Sequence, residues 1–196
     1  MSETAAPGPS FEIRTVAIIG AGVAGRSFAL ACAAAGFHVV LEDVMPANLR
    51  KAEADYADLT QRGTVGRLEL ALTVEDAVRE ADVAVDFVPD ELESKLEIFS
   101  MIDRMAPPKT ILCTPSYTLS ITDLASCVYR PERCVAVRGN LLRCSAAVAP
   151  VVRLLYPAAV AESTLTAMGE FLRTLGVEVR PEADPEVPLL MKNALM

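Results

Sequence analysis

Positive charge is scarce in this sequence, because 26 Asp and Glu residues outnumber 18 Lys and Arg residues and leave a net charge of −8. A phosphate backbone repels such a chain, so we expect no nonspecific nucleic-acid binding. No apolar run reaches the roughly 18 residues of a membrane-spanning helix, so we expect no membrane partner.

The five cysteines include no C-x-x-C pair. We therefore expect no metal site and no disulfide, and a reducing, cytoplasmic location.

The chain ends differ in composition from the middle. The first residues, MSETAAPGPS, contain proline and acid but no apolar segment of the kind a signal peptide needs, so we interpret residues 1–12 as a disordered tail. The 52% hydrophobic and 22% charged content is typical of a globular domain, which we place at 13–182. We expect a linker and the start of a C-terminal helix at 183–196. Three prolines mark the linker: Pro181, Pro185 and Pro188.

The most informative stretch is TVAIIGAGVAGRSFALACAAAGFHVVLED, which occupies residues 15–43. Its apolar residues 16–19 predict a fully buried strand, its Ala-rich residues 23–35 predict a helix, and its β-branched residues 39–41 predict a second strand. A glycine-rich turn joins the first strand to the helix. This order of elements predicts the start of a dinucleotide-binding domain.

The turn satisfies the G-x-G-x-x-G pattern. In such a turn the first glycine permits the tight bend, the second lets the backbone approach a pyrophosphate, and the third lets the helix pack closely on the strand. The N–H groups at the helix N-terminus then bind the phosphates. The predicted cofactor-binding residues are those of the whole turn: Gly20, Ala21, Gly22, Val23, Ala24 and Gly25.

Asp43 ends the second strand, 18 positions after Gly25. A carboxylate at this distance can accept hydrogen bonds from both ribose hydroxyls, and it repels a 2′-phosphate together with Glu42. The position therefore predicts NAD rather than NADP. The alternative is a purely structural glycine turn in an α/β domain that binds no cofactor.

Strand and helix patterns continue to alternate along the chain. Further strands are predicted at 68–72, 81–89, 110–113, 133–137, 146–155 and 177–179, and further helices at 49–59, 75–80, 91–105, 121–126 and 165–175. This alternation predicts an α/β fold: a Rossmann-type, doubly wound, mostly parallel sheet with helices on both faces.

Several blocks occur in an order that matches a known family. The first blocks are VAIIGAGVAG and VVLED. They are followed by ADVAVDFVPDELESK, APPKTILCTPSYTLSITDLA and YRPERCVAV. The last blocks are LRTLGVEV and PLLMKNAL. From about Arg14 onward the chain resembles the NAD-binding domain of the L-3-hydroxyacyl-CoA dehydrogenase family. The resemblance implies NAD as cofactor and hydride transfer to or from a 3-hydroxyacyl thioester or a small hydroxy acid.

The resemblance also implies roles for single residues. Pro89 and Asp90 are expected to bind the cofactor, with Asp90 in the place of a cofactor-side carboxylate. Lys95 takes the place of a lysine that reaches the cofactor. Tyr117 takes the place of a serine that touches both substrate and cofactor. Asn140 keeps the family's Asn position and could bind a substrate carbonyl. The alternative for Asp90 and Lys95 is a solvated first helical turn with Asp90 as N-cap.

The family's catalytic His and Glu have no counterpart in this sequence. The His position falls on Arg138 or Val137, depending on the register, and the Glu position falls on Ala149 or Pro150. The single histidine, His38, opens the second strand, far from this segment. A guanidinium does not deprotonate in proteins, so Arg138 cannot be the base.

Arginines accumulate where the catalytic pair is missing. No acidic residue occurs between positions 133 and 161, and the arginines of this stretch are Arg133, Arg138, Arg143 and Arg153. They predict a pocket for an anion, either a carboxylate or a CoA phosphate, unless they are scattered over the surface. The catalytic candidates are therefore Tyr117, which would have to replace the base, Arg138 and Asn140.

Two functions remain open. The first is an NAD-dependent oxidoreductase with altered catalysis. The second is a non-catalytic NAD-binding protein that acts through a partner. The sequence stops where the family's helical domain would begin, so we expect a homo-oligomer or a separate partner chain. We expect an apolar contact surface at Leu189, Leu190, Met191, Leu195 and Met196.

Overall fold

The computed structural model describes residues 11–141 and 149–184. The strands in these segments are β1 (Thr15–Ile19), β2 (His38–Glu42), β3 (Leu68–Ala71), β4 (Val83–Asp86), β5 (Ile111–Pro115), β6 (Cys134–Arg138), β7 (Val151–Tyr156) and β8 (Glu178–Ala183). The helices in the same segments are α1 (Val23–Ala34), α2 (Pro46–Thr60), α3 (Val74–Val78), α4 (Leu92–Met105), α5 (Ile121–Ala125) and α6 (Glu162–Thr174). A short 3-10 helix, Pro131–Arg133, precedes β6.

One sheet joins the strands in the order β3-β2-β1-β4-β5-β6-β7-β8. Neighbouring strands are parallel except for β6 and β7, which pair antiparallel. The chain moves from β1 outward to β3 and then crosses to β4 on the other side of β1. The predicted doubly wound, mostly parallel sheet is confirmed. In such a sheet, ligands bind outside the carboxyl ends of the strands where this reversal occurs, here between β1 and β4.

Each face of the sheet buries its own apolar layer, because side chains alternate along a strand. Ile18 of β1 belongs to the layer that contains Phe28 of α1 and Phe171 of α6. Its neighbour Ile19 belongs to the opposite layer, with Phe99 of α4. Helices therefore cover both faces, and the carboxyl ends of the strands are left to the loops.

Some predicted boundaries differ from the structure. Pro181, predicted in a linker, lies inside β8, where its missing N–H is tolerated because β8 is an edge strand. Phe11, predicted in the tail, packs on the core, and the Arg133 guanidinium lies 5.6 Å from its ring centroid. The predicted strand 146–155 is described from Val151 onward. The predicted C-terminal helix and its apolar contact residues lie outside the described residues.

The described segments lack two kinds of feature. No helix in them combines the length and the hydropathy that crossing a bilayer requires. No group of three or more His, Cys, Asp or Glu side chains in the same segments could hold a metal ion.

Candidate functional site

The glycine-rich turn after β1 places the N-terminus of α1 at the carboxyl edge of the sheet. Gly20 has φ of +99°, which favours glycine, and its N–H donates to the carbonyl oxygen of Glu42 at 2.9 Å. A Cβ on Gly25 would lie 1.9 Å from the carbonyl oxygen of Gly20. Glycine at position 25 is thus required for helix packing. A Cβ on Gly22 would meet no atom within 4 Å, so this glycine leaves space beside the turn.

The start of α1 fits the pyrophosphate of a dinucleotide. Gly22 is the N-cap and offers no side chain to the helix, and the first turn contains no acidic residue. The N–H groups of a first helical turn have no intrahelical partner, and the helix dipole favours negative charge there. Gly22, Val23 and Ala24 are exposed, whereas Ala21 and Gly25 are buried. The exposed backbone of the predicted turn therefore meets the charge and space needs of a phosphate.

Asp43, which is predicted to bind the ribose, also holds the glycine-rich turn in place. Its Oδ2 accepts from the Ala21 N–H at 2.8 Å and from Asn48 Nδ2 at 3.1 Å, and its Oδ1 accepts from the Met45 N–H at 2.7 Å. A carboxylate has about four acceptor positions, so Oδ1 can still accept a ribose hydroxyl. Our sequence interpretation missed the bond to Ala21, which no local pattern signals, and it missed Asn48.

Glu42 adds a second acid at the same strand end. Its side chain is buried, and burial raises the pKa of Glu42, with the neighbouring Asp43 charge acting in the same direction. A 2′-phosphate at this end of the site would meet the Asp43 carboxylate and a second acidic group. The arrangement agrees with NAD as the cofactor.

A crevice of about 590 Å³ extends from the glycine-rich turn across the ends of β1 and β4. Gly20, Gly22, Asp43 and Pro89, all predicted cofactor residues, line it. Its apolar wall comes from the loops after β2, β3 and β4, from the start of α3 and from α4. The residues of this wall are Val44, Leu72, Val74, Val88, Ile98 and Met101. The volume and the mostly apolar wall are typical of a small-molecule or cofactor site.

Lys95 lies beneath this edge of the sheet, paired with a residue that our sequence interpretation missed. Lys95 and Asp86 are only 1% and 0% exposed, and Lys95 Nζ donates to Asp86 Oδ1 at 2.6 Å and to the Pro115 carbonyl oxygen at 3.3 Å. Burial raises the pKa of Asp86, and the Lys95 charge opposes that rise. The alternative of a solvated Lys95 is wrong. Its contact with the cofactor stays a prediction.

Asp90 accepts hydrogen bonds from the loop after β5 and does not cap α4. The N-cap of α4 is Glu91, so the alternative role for Asp90 is wrong. Asp90 Oδ2 accepts from the Tyr117 N–H at 2.9 Å. Burial acts to raise the pKa of Asp90, but hydrogen bonds from Ser116 and from the Tyr117 and Thr118 N–H groups outweigh it and lower the pKa. Asp90 is therefore anionic at neutral pH, and its role toward the cofactor stays a prediction.

The three catalytic candidates lie together at the carboxyl ends of β5 and β6. Tyr117 is 68% exposed, and its hydroxyl lies 3.5 Å from the Gly139 carbonyl oxygen, the outer limit of a hydrogen bond. Gly139 separates Arg138, the last residue of β6, from the exposed Asn140. The loop after β5 and the loop after β6 are thus neighbours at the carboxyl edge of the sheet.

Arg138 stabilises the loop that carries Tyr117 through two hydrogen bonds. Its Nε donates to the Ser116 carbonyl oxygen at 3.3 Å, and its Nη2 donates to the Leu119 carbonyl oxygen at 3.2 Å. The guanidinium is therefore fixed in orientation while its side chain stays half-buried.

The residue opposite Arg138 is another arginine. In the antiparallel ladder of β6 and β7, Arg138 pairs with Arg153. Arg153 Nη1 lies 3.3 Å from Glu182 Oε1 on β8. The residue directly opposite Arg138 is therefore a cation and not a carboxylate. The alignment of the family's Glu with Ala149 or Pro150 stays a prediction.

Arg133 does not belong to this group. It precedes β6, whereas Arg138 ends it, and the five residues of the strand separate the two by about 16 Å. Of the arginines of the predicted cluster that the structure describes, Arg138 and Arg153 are neighbours in the sheet and Arg133 is not. Arg143 lies outside the described residues.

The fold and the site define an NAD-binding Rossmann domain. The family model described as the NAD-binding domain of 3-hydroxyacyl-CoA dehydrogenase matches residues 15–179. The chain therefore belongs to the 3-hydroxyacyl-CoA dehydrogenase family, and NAD is its cofactor.

Individual relatives agree with this assignment. A probable 3-hydroxybutyryl-CoA dehydrogenase of Bacillus subtilis (strain 168) is 30% identical over 139 residues, which are 64% of this chain and 48% of the relative. An L-carnitine dehydrogenase of Pseudomonas syringae pv. syringae (strain B728a) is 35% identical over 133 residues, 63% of this chain and 42% of the relative. The crystal structure of a 3-hydroxyacyl-CoA dehydrogenase from Archaeoglobus fulgidus is similar with a TM-score of 0.72 and 26% identity, covering 94% of this chain and 61% of that one. The chain spans about half the length of the curated relatives it matches, 48% of the first.

Proposed function

We propose that this chain binds NAD(H) in the crevice between β1 and β4 and serves in hydride transfer to or from a 3-hydroxyacyl thioester or a small hydroxy acid. The observation that supports this most is that the glycine-rich turn, Asp43 and the Tyr117 loop meet at one edge of the sheet. Relatives named as dehydrogenases of 3-hydroxybutyryl-CoA and of L-carnitine support the reaction class.

Different residues bind the cofactor and contact the substrate in this proposal. NAD, when bound, supplies the hydride acceptor, and NADH the donor. The turn and Asp43 orient the nucleotide, while Asp90 and Arg138 hold the loop of Tyr117 from its two sides. Tyr117 carries an exposed hydroxyl that can exchange a proton with a substrate oxygen. Arg138 cannot take a proton, but its charge can stabilise a negative oxygen or bind an anionic group.

A second candidate function is a non-catalytic NAD-binding protein that acts through a partner. The pairing of Arg138 with Arg153 supports it, because neither guanidinium can serve as a general base or orient one as a carboxylate does. The features that favour cofactor binding are compatible with both functions.

One experiment separates the two functions. NADH and NADPH are titrated into the full chain by calorimetry. Turnover is then assayed in both directions with acetoacetyl-CoA and 3-hydroxybutyryl-CoA, and with the free acids acetoacetate and 3-hydroxybutyrate. NADH binding with turnover of a thioester or of a free acid supports the oxidoreductase. NADH binding without turnover of any of the four compounds supports the non-catalytic function, and a chain that binds neither cofactor contradicts both.

A further inference from the structure

Two arginines lie side by side in the sheet at the ends of β6 and β7. Ala136 of β6 and Leu155 of β7 belong to the layer of α4 and α5, and Arg138 and Arg153 lie two residues from them along their strands. Both arginine side chains therefore leave the sheet on that same face. Their guanidinium groups then point apart, because Arg138 donates to the loop after β5 and Arg153 pairs with Glu182 of β8.

Arg138 is the better placed of the two to bind an anion. Arg153 already has Glu182 within 3.3 Å, whereas Arg138 forms no ion pair with any carboxylate of the described segments. The two backbone carbonyls that accept from Arg138 use two of its five N–H groups and fix the plane of the guanidinium. A guanidinium held in this way binds a carboxylate through two parallel hydrogen bonds with little further loss of conformational entropy.

The position of Arg138 also discriminates between kinds of anion. Its two acceptors, Ser116 and Leu119, flank Tyr117 in the same loop. An anion on Arg138 would thus lie against the loop that carries Tyr117, the residue proposed to exchange a proton with the substrate. The phosphates of CoA are separated from the thioester by the whole pantetheine arm, so they do not fit this position. A carboxylate on the substrate itself does.

We infer that Arg138 is the specificity-determining residue of the site and recognises a free carboxylate, so that the substrate is a small hydroxy acid or keto acid and not an acyl-CoA thioester. The inference rests on the proposed NAD-dependent function and narrows its substrate class. Arg153 raises the local positive charge from the neighbouring strand.

The test is a calorimetric titration of the full chain with acetoacetate and with acetoacetamide, a neutral analogue of similar shape, each with and without saturating NADH. The wild-type chain is expected to bind acetoacetate at least tenfold more tightly than acetoacetamide. The Arg138→Gln variant is expected to lose at least tenfold in acetoacetate affinity and to keep its acetoacetamide affinity. Arg67→Gln is the matched control, because it removes one exposed arginine at the far edge of the sheet, and it should bind acetoacetate like the wild type.

Several results would overturn the inference. Equal affinity of the wild type for the two analogues is one, and equal acetoacetate affinity of wild type and Arg138→Gln is another. Tighter binding of acetoacetyl-CoA than of acetoacetate is a third. Should Arg138→Gln fail to fold, Arg138→Lys keeps the charge without the planar fork and must bind acetoacetate severalfold more weakly. Absence of NADH binding contradicts the proposed function alone, because the titrations without NADH still test Arg138.

Discussion

Arg138 lies directly opposite Arg153 in the antiparallel ladder between β6 and β7. Cβ atoms of directly opposed residues are about 4.5–5.5 Å apart, a distance that a His and a Glu side chain can bridge by a hydrogen bond. The backbone thus places positions 138 and 153 at the separation that a general base and the carboxylate that orients it would need. Both positions carry a cationic side chain instead.

We predict that the double substitution Arg138→His with Arg153→Glu raises the reduction of acetoacetyl-CoA by NADH about 10²–10⁴-fold over the wild-type chain, the usual contribution of a positioned acid or base. Steady-state assays in both directions measure it. Arg138→His alone should gain far less, because its imidazole would face a cation. An inactive double variant that still binds NADH would contradict the prediction. Wild-type turnover on the order of 10 per second would instead indicate Tyr117 as the base.

We predict that Gly22→Val abolishes NADH binding with little change in the unfolding temperature. Gly22 has φ of −60°, and a Cβ there meets no protein atom, so a side chain would fill only the space of the pyrophosphate. Calorimetry and thermal unfolding measure the two effects. Gly25→Ala is the matched comparison, because its Cβ would clash with Gly20 and should lower the free energy of unfolding by about 1–3 kcal/mol. A folded Gly22→Val variant with wild-type affinity would show that the turn is only structural.

How much the sequence predicts depends on how local each interaction is. The glycine-rich turn and α1 are predicted to within one or two residues, because strand, turn and helix follow one another directly. The burial of Lys95 was missed because its partner Asp86 lies on another element. A signal was nevertheless present: Lys95 falls three residues after Leu92 and four before Phe99, on the apolar face of α4, and Asp86 ends an otherwise apolar strand.

The register between β6 and β7 could not be predicted from the sequence for a different reason. Arg138 and Arg153 belong to different strands, and the sequence of neither strand states which residue of the other it pairs with. The family alignment gives Ala149 or Pro150 for the Glu position, but an alignment does not give a strand register.

We predict that NADH binds at least tenfold more tightly than NADPH and that Asp43→Ala narrows this ratio, because the substitution removes the charge that repels a 2′-phosphate. Titration of both cofactors gives the ratio. Asp58→Ala, an exposed carboxylate of α2, changes the net charge equally and should leave the ratio unchanged. Equal affinity of the wild type for the two cofactors would contradict the prediction.

We predict that Lys95→Met lowers the free energy of unfolding by about 3–5 kcal/mol, because it leaves the fully buried Asp86 without its counter-charge. Urea unfolding measures the effect. Lys109→Met is the control: it breaks the ion pair with Asp82, but Lys109 is half exposed and Asp82 still accepts from the Arg14 and Thr15 N–H groups. A loss of no more than about 1 kcal/mol is expected for the control. Equal losses in the two variants would contradict a special role for the buried pair.

The hydrogen bond from the Ala21 N–H to Asp43 has a consequence for redesign. The carboxylate expected to discriminate between the two cofactors also supports the turn that is expected to bind their shared phosphates, so removing it alters both properties at once. A conversion toward NADP that simply deletes this acid would weaken affinity for both cofactors. A productive route keeps an acceptor oxygen at position 43, as in Asp43→Asn, and adds positive charge from α2.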